Sequence, residues 1–228
     1  MLRGIKEESE AFSELLCISV EKKIILKNLF NFSKICFETI KVENGELLNL
    51  KYHQNRIDKT RSFFGFKKEL EIKEYNFELP HKGTFKLRID YAEEIISSTC
   101  RDVICREFKE FKVVESNINY EYKYADRREL DALKVDQKEI IILKDGLLTD
   151  TSIANIALHI DGVWLTPIAP LLKGTTRARL IDSGFLKCAD LRVEDLKKAQ
   201  NFAIMNALID FKTVRAQIEF ELGLERII

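Results

Sequence analysis

The residues Gly174-Thr175-Thr176-Arg177 could bind an anion at the start of a helix. A glycine at this point lets a ligand approach the backbone, and the first free N–H groups of a helix bind phosphate with the help of the helix dipole. The hydroxyl groups of Thr175 and Thr176 would add further donors. The same residues also make a good ordinary helix start, so the motif indicates a phosphate site only in combination with others.

Lys123 and Asp150 are the titratable residues whose surroundings suggest chemistry. Lys123 lies between Tyr122 and Tyr124, and desolvation beside aromatic rings would lower its pKa and allow the amine to act as a base. Asp150 ends an apolar segment and precedes a small polar turn, where an aspartate commonly caps the turn through its own side chain. The residue type alone favours that turn role for Asp150.

The order of the motifs resembles the pyridoxal-phosphate enzymes of aminotransferase class IV, which have fold type IV. In that family a strand, an acidic residue, a small-residue turn with Asn, a strand leading to Thr-Pro and a GxTR helix start follow one another. The corresponding residues lie here between 139 and 177. Two further segments agree with the family, namely Phe37-Glu38-Thr39-Ile40-Lys41-Val42 followed by His53 and Arg56, and Met205-Asn206-Ala207-Leu208.

The resemblance implies a role for each candidate residue. Lys123 would hold the cofactor as a Schiff base and move the proton at the substrate carbon, with Lys134 as its nearest rival. Asp150, where the family usually has Glu, would keep the pyridine nitrogen protonated. The other implied cofactor contacts are Arg56, Leu172, Thr175, Thr176, Asn206 and Ala207. The residues implied beside the substrate are Glu38 and Thr39, with Thr39 as a catalytic residue. Separately from the resemblance, Arg88 in the strand-like segment KLRID could be aimed at a substrate carboxylate. For Arg56 a solvated helix arginine remains the alternative, and for Arg88 an arginine on an edge strand.

Within the family, the chain is most similar to 4-amino-4-deoxychorismate lyase, because of the MNAL segment and the compact length. The expected reaction therefore converts 4-amino-4-deoxychorismate to 4-aminobenzoate and pyruvate, for folate synthesis. A branched-chain or D-amino acid aminotransferase of the same fold is the second hypothesis. The third is a degenerate member that binds a cofactor or partner without turnover, because Asp150 replaces Glu and the segment before Phe37 lacks the family's glycine-bearing approach.

Local patterns predict the elements that position these residues. Alternation with period two predicts strands over 83–91 and 103–114. Helical spacing of apolar residues within 50–66 predicts a helix, with Gly65 as its stop. Glu43-Asn44-Gly45 predicts a hairpin turn. In the second half, the predicted helices span 124–134, 175–183 and 193–199, and the predicted strands span 139–143, 147–150, 153–159, 163–166 and 202–208.

Apolar periodicity lapses over residues 115–121, which predicts a linker between two mixed domains. The predicted architecture is α+β, with an N-terminal domain over 1–116, a linker over 117–122, and a C-terminal α/β domain over 123–228. The cofactor cleft would lie between the domains. The family resemblance also implies a homodimer, since class IV sites are built at a subunit interface, and a small amino-acid-like substrate.

The composition is that of an ordinary soluble globular protein. The 37 basic and 37 acidic residues cancel, which argues against nucleic acid or an anionic membrane as the partner. No apolar run approaches the roughly 20 residues of a membrane helix, and acidic residues near the start disfavour a signal peptide, so a cytoplasmic protein is expected. The cysteines are odd in number and scattered, and the closest pair, Cys100 and Cys105, lacks CxxC spacing. Reduced thiols are therefore favoured over disulfides or a zinc site.

Overall fold

Two β-sheets carry most of the part of the chain that the computed structural model describes, which is residues 34–104, 107–134, 138–220 and 225–227. Both sheets belong to one compact unit, Cys36–Ile228. The mixed α+β architecture agrees with the prediction from the sequence. Across these residues, no helix is long and apolar enough to cross a membrane.

The strands of the first sheet are β1 (Cys36–Glu43), β2 (Glu46–Leu47), β3 (Thr84–Tyr91) and β4 (Ile95–Asp102). They lie in the order β2-β1-β3-β4, and all neighbours are antiparallel. Asn44 and Gly45 connect β1 to β2 with φ angles of 51° and 86°, as the tight turns of β-hairpins require. The hairpin turn predicted from Glu43-Asn44-Gly45 is confirmed.

Helix α1 (Leu50–Phe63) covers one face of the first sheet. Its Ile57 packs in the same fully buried cluster as Ile40 of β1. The helix stops before Gly65, whose φ of 74° lies in the left-handed region, and this confirms the predicted stop. A 3₁₀ turn over Ile72–Glu74 adds its apolar side chain to the same cluster.

Alternation along β1 and β3 divides their side chains between the two faces of the first sheet. Glu38 and Ile40 point toward α1, and both are fully buried. Thr39 and its register partner Arg88 point to the opposite face. The candidate site lies on that opposite face.

The strands of the second sheet are β5 (Glu110–Glu115), β6 (Glu139–Lys144), β7 (Leu147–Thr151), β8 (Asn155–Ile160), β9 (Val163–Pro167), β10 (Leu186–Ala189), β11 (Asn201–Asn206), β12 (Asp210–Val214), β13 (Gln217–Glu219) and β14 (Glu225–Ile227). They lie in the order β10-β9-β8-β7-β6-β5-β13-β14, and the β11–β12 hairpin joins through β8. The pairs β5–β6, β5–β13 and β9–β10 are parallel.

The helices that accompany the second sheet are α2 (Arg128–Ala132), α3 (Thr175–Asp182) and α4 (Val193–Lys198). Helix α3 is the crossover between the parallel strands β9 and β10. The main core of this sheet includes Phe111, Ile156 and Phe202, all fully buried. The rings of Phe111 and Phe202 meet edge to face, with their centroids 5.3 Å apart.

Two predicted elements differ from the structure. The strand predicted over 103–114 begins only at Glu110. The helix predicted from Tyr124 begins only at Arg128, because Tyr124 forms an extended bridge with Cys36 and the Asp126 carboxylate accepts the Arg128 N–H at 3.1 Å. The predicted helices and strands between residues 139 and 208 are confirmed to within two residues at their ends.

The predicted division into domains at residues 117–122 stays a prediction. The chain passes from the first sheet to the second between Asp102 and Glu110, since β5 pairs with β6 and β13. Cys36, Cys100 and Cys188 are free thiols. Cys17 and Cys105, which also entered the cysteine prediction, lie outside the described residues.

Candidate active site

A cavity of about 660 Å³ is lined by residues from both sheets. Its volume lies in the range of small-molecule sites, roughly 300–1,000 Å³. Most of the residues that the sequence suggested meet there, namely Thr39, Arg56, Arg88, Lys123, Lys134, Asp150, Leu172, Thr175, Asn206 and Ala207. Glu38 and Thr176 are buried and are not among the lining residues.

Lys123 is held against the first sheet by its main chain. The Phe37 N–H donates to the Lys123 carbonyl at 2.8 Å, and the Lys123 Nζ lies 4.5 Å from the centroid of the Phe37 ring. Burial, followed by the positive charge of Arg56, lowers the pKa of Lys123 to about 7. Close to neutral pH the amine can therefore hold or release a proton, as the aromatic surroundings in the sequence predict.

Asp150 is 4% exposed, and each of its carboxylate oxygens accepts a hydrogen bond. Oδ1 accepts from the Asn155 Nδ2 and Oδ2 from the Leu172 N–H, both at 2.7 Å. Burial raises the pKa of Asp150 to about 7, although these donors and Arg177 oppose the rise. The carboxyl group therefore faces the cavity with a proton affinity far above that of an exposed aspartate.

The turn after Asp150 is capped by Thr151, which corrects the turn role that residue type alone favours for Asp150. The Thr151 Oγ1 accepts the N–H groups of Ile153 and Ala154 at 3.2 and 2.9 Å. The Asp150 side chain instead reaches across to strand β8 and to the loop before α3. The carboxylate is thus left available to the cavity.

Asn155 joins the three segments that surround Asp150. Its Nδ2 donates to the Asp150 Oδ1 and to the Leu172 carbonyl, both at 2.7 Å. A Cβ atom added to Gly174 would lie 1.9 Å from the Asn155 Oδ1, so the close approach of these two residues requires glycine. Sequence reasoning gave Asn155 no role in the site, although Asp150 and Asn155 flank a tight hairpin turn, where facing residues are expected to touch.

The start of α3 forms another wall of the cavity. Gly174, in an extended conformation, precedes the helix and lines the cavity together with Thr175. Arg177 turns away from the cavity and donates to the Pro167 carbonyl at 2.6 Å, which fixes the helix start against the end of β9. The free N–H groups of the first turn and the dipole of α3 make this wall suitable for an anion.

Leu172, Asn206 and Ala207 complete this side of the cavity. The Leu172 N–H is the donor to Asp150, so its side chain is fixed beside that carboxylate. The Asn206 side chain holds the turn after β11, because its Oδ1 accepts the N–H groups of Leu208 and Ile209 at 2.9 and 3.0 Å.

The wall formed by the first sheet is basic. Arg88 lies 3.9 Å from the Phe37 ring centroid and pairs with Asp90 at 2.6 Å. Thr39 and Lys86 lie on the same wall. The rival lysine, Lys134, pairs with Glu139 at 3.5 Å, whereas the Lys123 Nζ lies over the Phe37 ring.

Arg127 is a lining residue that sequence reasoning did not assign. Its Nη2 donates to the Ser152 carbonyl at 2.8 Å, and its Nη1 donates to the Tyr120 hydroxyl at 3.3 Å. It therefore ties the segment that carries Lys123 to the turn after Asp150. The signal was present in the sequence, since Arg127 follows Lys123 by four positions.

Three comparisons with known proteins agree with this geometry. Residues 116–216 match the family model described as Amino-transferase class IV. Over 184 residues the chain is 30% identical to an uncharacterised protein of Haemophilus influenzae, and the match covers 75% of this chain and 96% of the relative. A crystal structure from Haemophilus somnus 129pt, provisionally described as a 4-amino-4-deoxychorismate lyase, is 31% identical, with a TM-score of 0.66 over 76% of this chain and 96% of that chain.

A more distant solved structure has the same fold. A hypothetical aminotransferase from Mycobacterium tuberculosis, in its PLP-bound form, is 16% identical to the chain. The two superimpose with a TM-score of 0.67, covering 83% of this chain and 81% of that chain.

Proposed function

Because the chain belongs to the class IV aminotransferase family, we propose that it binds pyridoxal 5'-phosphate in the cavity and uses Lys123 to hold it. The observation that carries this proposal is that an amine with a pKa of about 7, a buried carboxylate and a helix start line one cavity. When bound, this cofactor supplies a conjugated ring that withdraws electrons from the substrate.

The residues present fit the chemistry of that cofactor. The N–H groups at Gly174 and Thr175 suit its phosphate, and Arg56 adds a positive charge to the same cavity. Asp150 suits the pyridine nitrogen, because a positively charged N–H beside it would lower the pKa of the buried carboxyl group and keep it ionised. Leu172 supplies an apolar contact on this side of the cavity.

Lys123 is the proposed general base. With a pKa of about 7, its amine is available in the neutral form at neutral pH and can take a proton from the substrate carbon. Burial prevents the amine from being fully protonated, and the Phe37 ring holds it in place.

We further propose that the substrate is 4-amino-4-deoxychorismate, which the protein converts to 4-aminobenzoate and pyruvate. The relative with 31% identity that is provisionally described as such a lyase supports this assignment. The cavity lining supports it independently, because Lys86, Arg88, Arg127 and Lys212 suit a substrate with more than one carboxylate. The products would serve folate synthesis, and a cytoplasmic homodimer is the proposed form of the enzyme.

The alternatives make different demands on the same cavity. A branched-chain amino acid would place its apolar side chain among these cations, which disfavours that aminotransferase. A D-amino acid aminotransferase would use the same lysine and carboxylate, so the products must distinguish it from the lyase. A degenerate member without turnover would have no need for a lysine with a pKa near neutrality.

The test is a product assay with 4-amino-4-deoxychorismate and added cofactor. We expect pyruvate and 4-aminobenzoate in equal amounts, without a need for any 2-oxo acid. Amino transfer from D-alanine to 2-oxoglutarate, in the absence of pyruvate release from 4-amino-4-deoxychorismate, would replace the lyase proposal by the aminotransferase. No reaction in either assay, with cofactor bound, would favour the degenerate member.

A further inference from the structure

Glu38 carries a charged group inside the core of the first sheet. Its side chain is 0% exposed and belongs to the face that packs on α1, away from the cavity. We propose that Glu38 and His53 are positioning residues that aim the guanidinium of Arg56 at the phosphate of the cofactor, an inference that rests on the proposed function. Glu38 would thus act through Arg56 rather than beside the substrate.

The contact between Glu38 and Arg56 has the geometry of a fixed fork. The Arg56 Nε donates to Oε1 at 2.7 Å, and the Arg56 Nη2 donates to Oε2 at 2.6 Å. These bonds occupy one edge of the guanidinium, which has further N–H donors on Nη1 and Nη2. Because Arg56 lines the cavity, its second edge remains for an anion.

His53 fixes the carboxylate from the other side. Its Nδ1 lies 2.7 Å from the Glu38 Oε2. The charges around Glu38 hold its pKa at about 2 despite burial, so the carboxylate can only accept, and Nδ1 must carry the hydrogen. The same ring leaves Nε2 buried without a partner among the described residues. Burial of a polar atom without a hydrogen-bond partner costs free energy, and an apolar residue at position 53 would avoid that cost. The contact of Nδ1 with Glu38 is therefore the reason for a histidine at this position.

Coulomb's law alone gives Glu38 no useful part in anion binding. A carboxylate next to Arg56 cancels part of its positive charge and repels an incoming phosphate. The pair can assist binding only by fixing the direction of the guanidinium, since a free arginine loses side-chain entropy when it binds. A change that keeps the charge of Glu38 but alters its length therefore separates the two effects.

The experiment measures binding of inorganic phosphate and of pyridoxal 5'-phosphate to the cofactor-free protein by calorimetry. Glu38→Asp keeps the charge and shortens the side chain, and we expect it to raise the Kd for both ligands about tenfold, as loss of one aligned charge-assisted hydrogen bond would. Ile57→Val, on the same face of α1, is the matched control, because it loses buried volume and leaves the charges intact. The Kd of the control should stay within about twofold of the parent value, well below the roughly tenfold change expected from loss of one aligned hydrogen bond.

Substitutions of His53 keep the test decisive if Glu38→Asp does not fold. His53→Asn retains an N–H donor near the position of Nδ1, whereas His53→Leu removes it. We expect His53→Leu to weaken phosphate binding several-fold, on the order of the loss of one buried hydrogen bond, and His53→Asn to restore most of it. Equal losses in both variants would show a packing effect and overturn the proposal, as would unchanged binding in Glu38→Asp.

The same measurement separates this inference from the proposed function. If the parent protein binds neither phosphate nor pyridoxal 5'-phosphate, the proposed function fails. If the parent binds both ligands and the Glu38 and His53 variants bind them equally well, only the positioning inference fails.

Discussion

Replacement of Gly174 by alanine should lower the free energy of unfolding through a single steric contact. The new Cβ would lie 1.9 Å from the Asn155 Oδ1, and contacts below 3.0 Å do not occur, so the two atoms must separate by at least 1.1 Å. A shift of that size takes the 2.7 Å hydrogen bonds of the Asn155 Nδ2 past the distance at which they hold. The Asp150 Oδ1 and the Leu172 carbonyl would then lose a buried partner.

Each buried polar group left without a partner costs about 1–3 kcal/mol. The Leu172 carbonyl is only partly buried, so its share lies at the low end of that range. The expected loss of stability for Gly174→Ala is therefore roughly 2–4 kcal/mol, which is large against the roughly 5–15 kcal/mol of a typical domain. Urea denaturation of the cofactor-free protein, followed by circular dichroism, measures it directly.

A double-mutant cycle with Asn155→Ala tests the mechanism. Asn155→Ala alone removes the same hydrogen bonds and should cost a similar amount. In that background the alanine at 174 meets no Oδ1 atom, so its further cost should fall below about 0.5 kcal/mol. The reasoning would be refuted by an equal cost of Gly174→Ala in both backgrounds, or by a stable single variant.

Further predictions concern the proposed chemistry and assembly. Lys123→Ala should abolish both turnover and the covalent attachment of the cofactor, which is measured as the mass added to the protein after borohydride reduction. The control Lys134→Ala should retain both. Attachment that survives in Lys123→Ala would transfer the role to Lys134. Asp150→Asn should bind the cofactor but react at least about a hundredfold more slowly, the equivalent of two pKa units at the pyridine nitrogen. Asp150→Glu should keep its rate within about tenfold of the parent, the equivalent of less than one such unit. Equal single-turnover rates for the two variants would reduce Asp150 to a structural residue. Burial raises the pKa of Asp150 from 3.8 to about 7, so the cofactor-free protein should lose stability as the pH rises through that window. The melting temperature should fall over the same window, and Asp150→Asn should remove the part of that fall that comes from Asp150. An unchanged pH profile of the melting temperature in Asp150→Asn would contradict the shift. Light scattering should give the mass of a homodimer with cofactor bound, and a stable monomer at micromolar concentration would oppose that proposal.

Local patterns were sufficient where an element is defined by its own residues. The run Ile140, Ile141 and Ile142, all fully buried, predicts a strand without knowledge of its neighbours. Strand β4 escaped prediction because its residues are mostly exposed and polar, so they show no apolar alternation. It is a strand because β3 offers it hydrogen bonds along its whole length.

The roles of neighbouring residues depended on register, which local patterns leave open. The sequence places Glu38 next to Thr39, and both were assigned to the substrate side. In β1 they face opposite ways, because side chains alternate across a sheet, so only Thr39 lines the cavity. Alternation along a strand over residues 37–42 is by itself enough to separate the two side chains.

The turn after Asp150 illustrates a choice that residue type cannot make. Asp150 and Thr151 are both able to cap a turn, and their order in the sequence does not say which will do so. The pairing of Asp150 with Asn155 decides it, by directing the carboxylate across the hairpin and leaving the turn to Thr151. The contact between Asn155 and Gly174 is likewise visible only in three dimensions, since 19 positions separate them.

The hydrogen bond from the Phe37 N–H to the Lys123 carbonyl has a mechanical consequence. Through its main chain Lys123 is attached to the first sheet, whereas Asp150 and the start of α3 belong to the second. A molecule attached to the amine at one end and to the helix start at the other would therefore act as a brace between the sheets. The free energy with which it binds would also resist their separation, so that filling the cavity and stiffening the protein become one event.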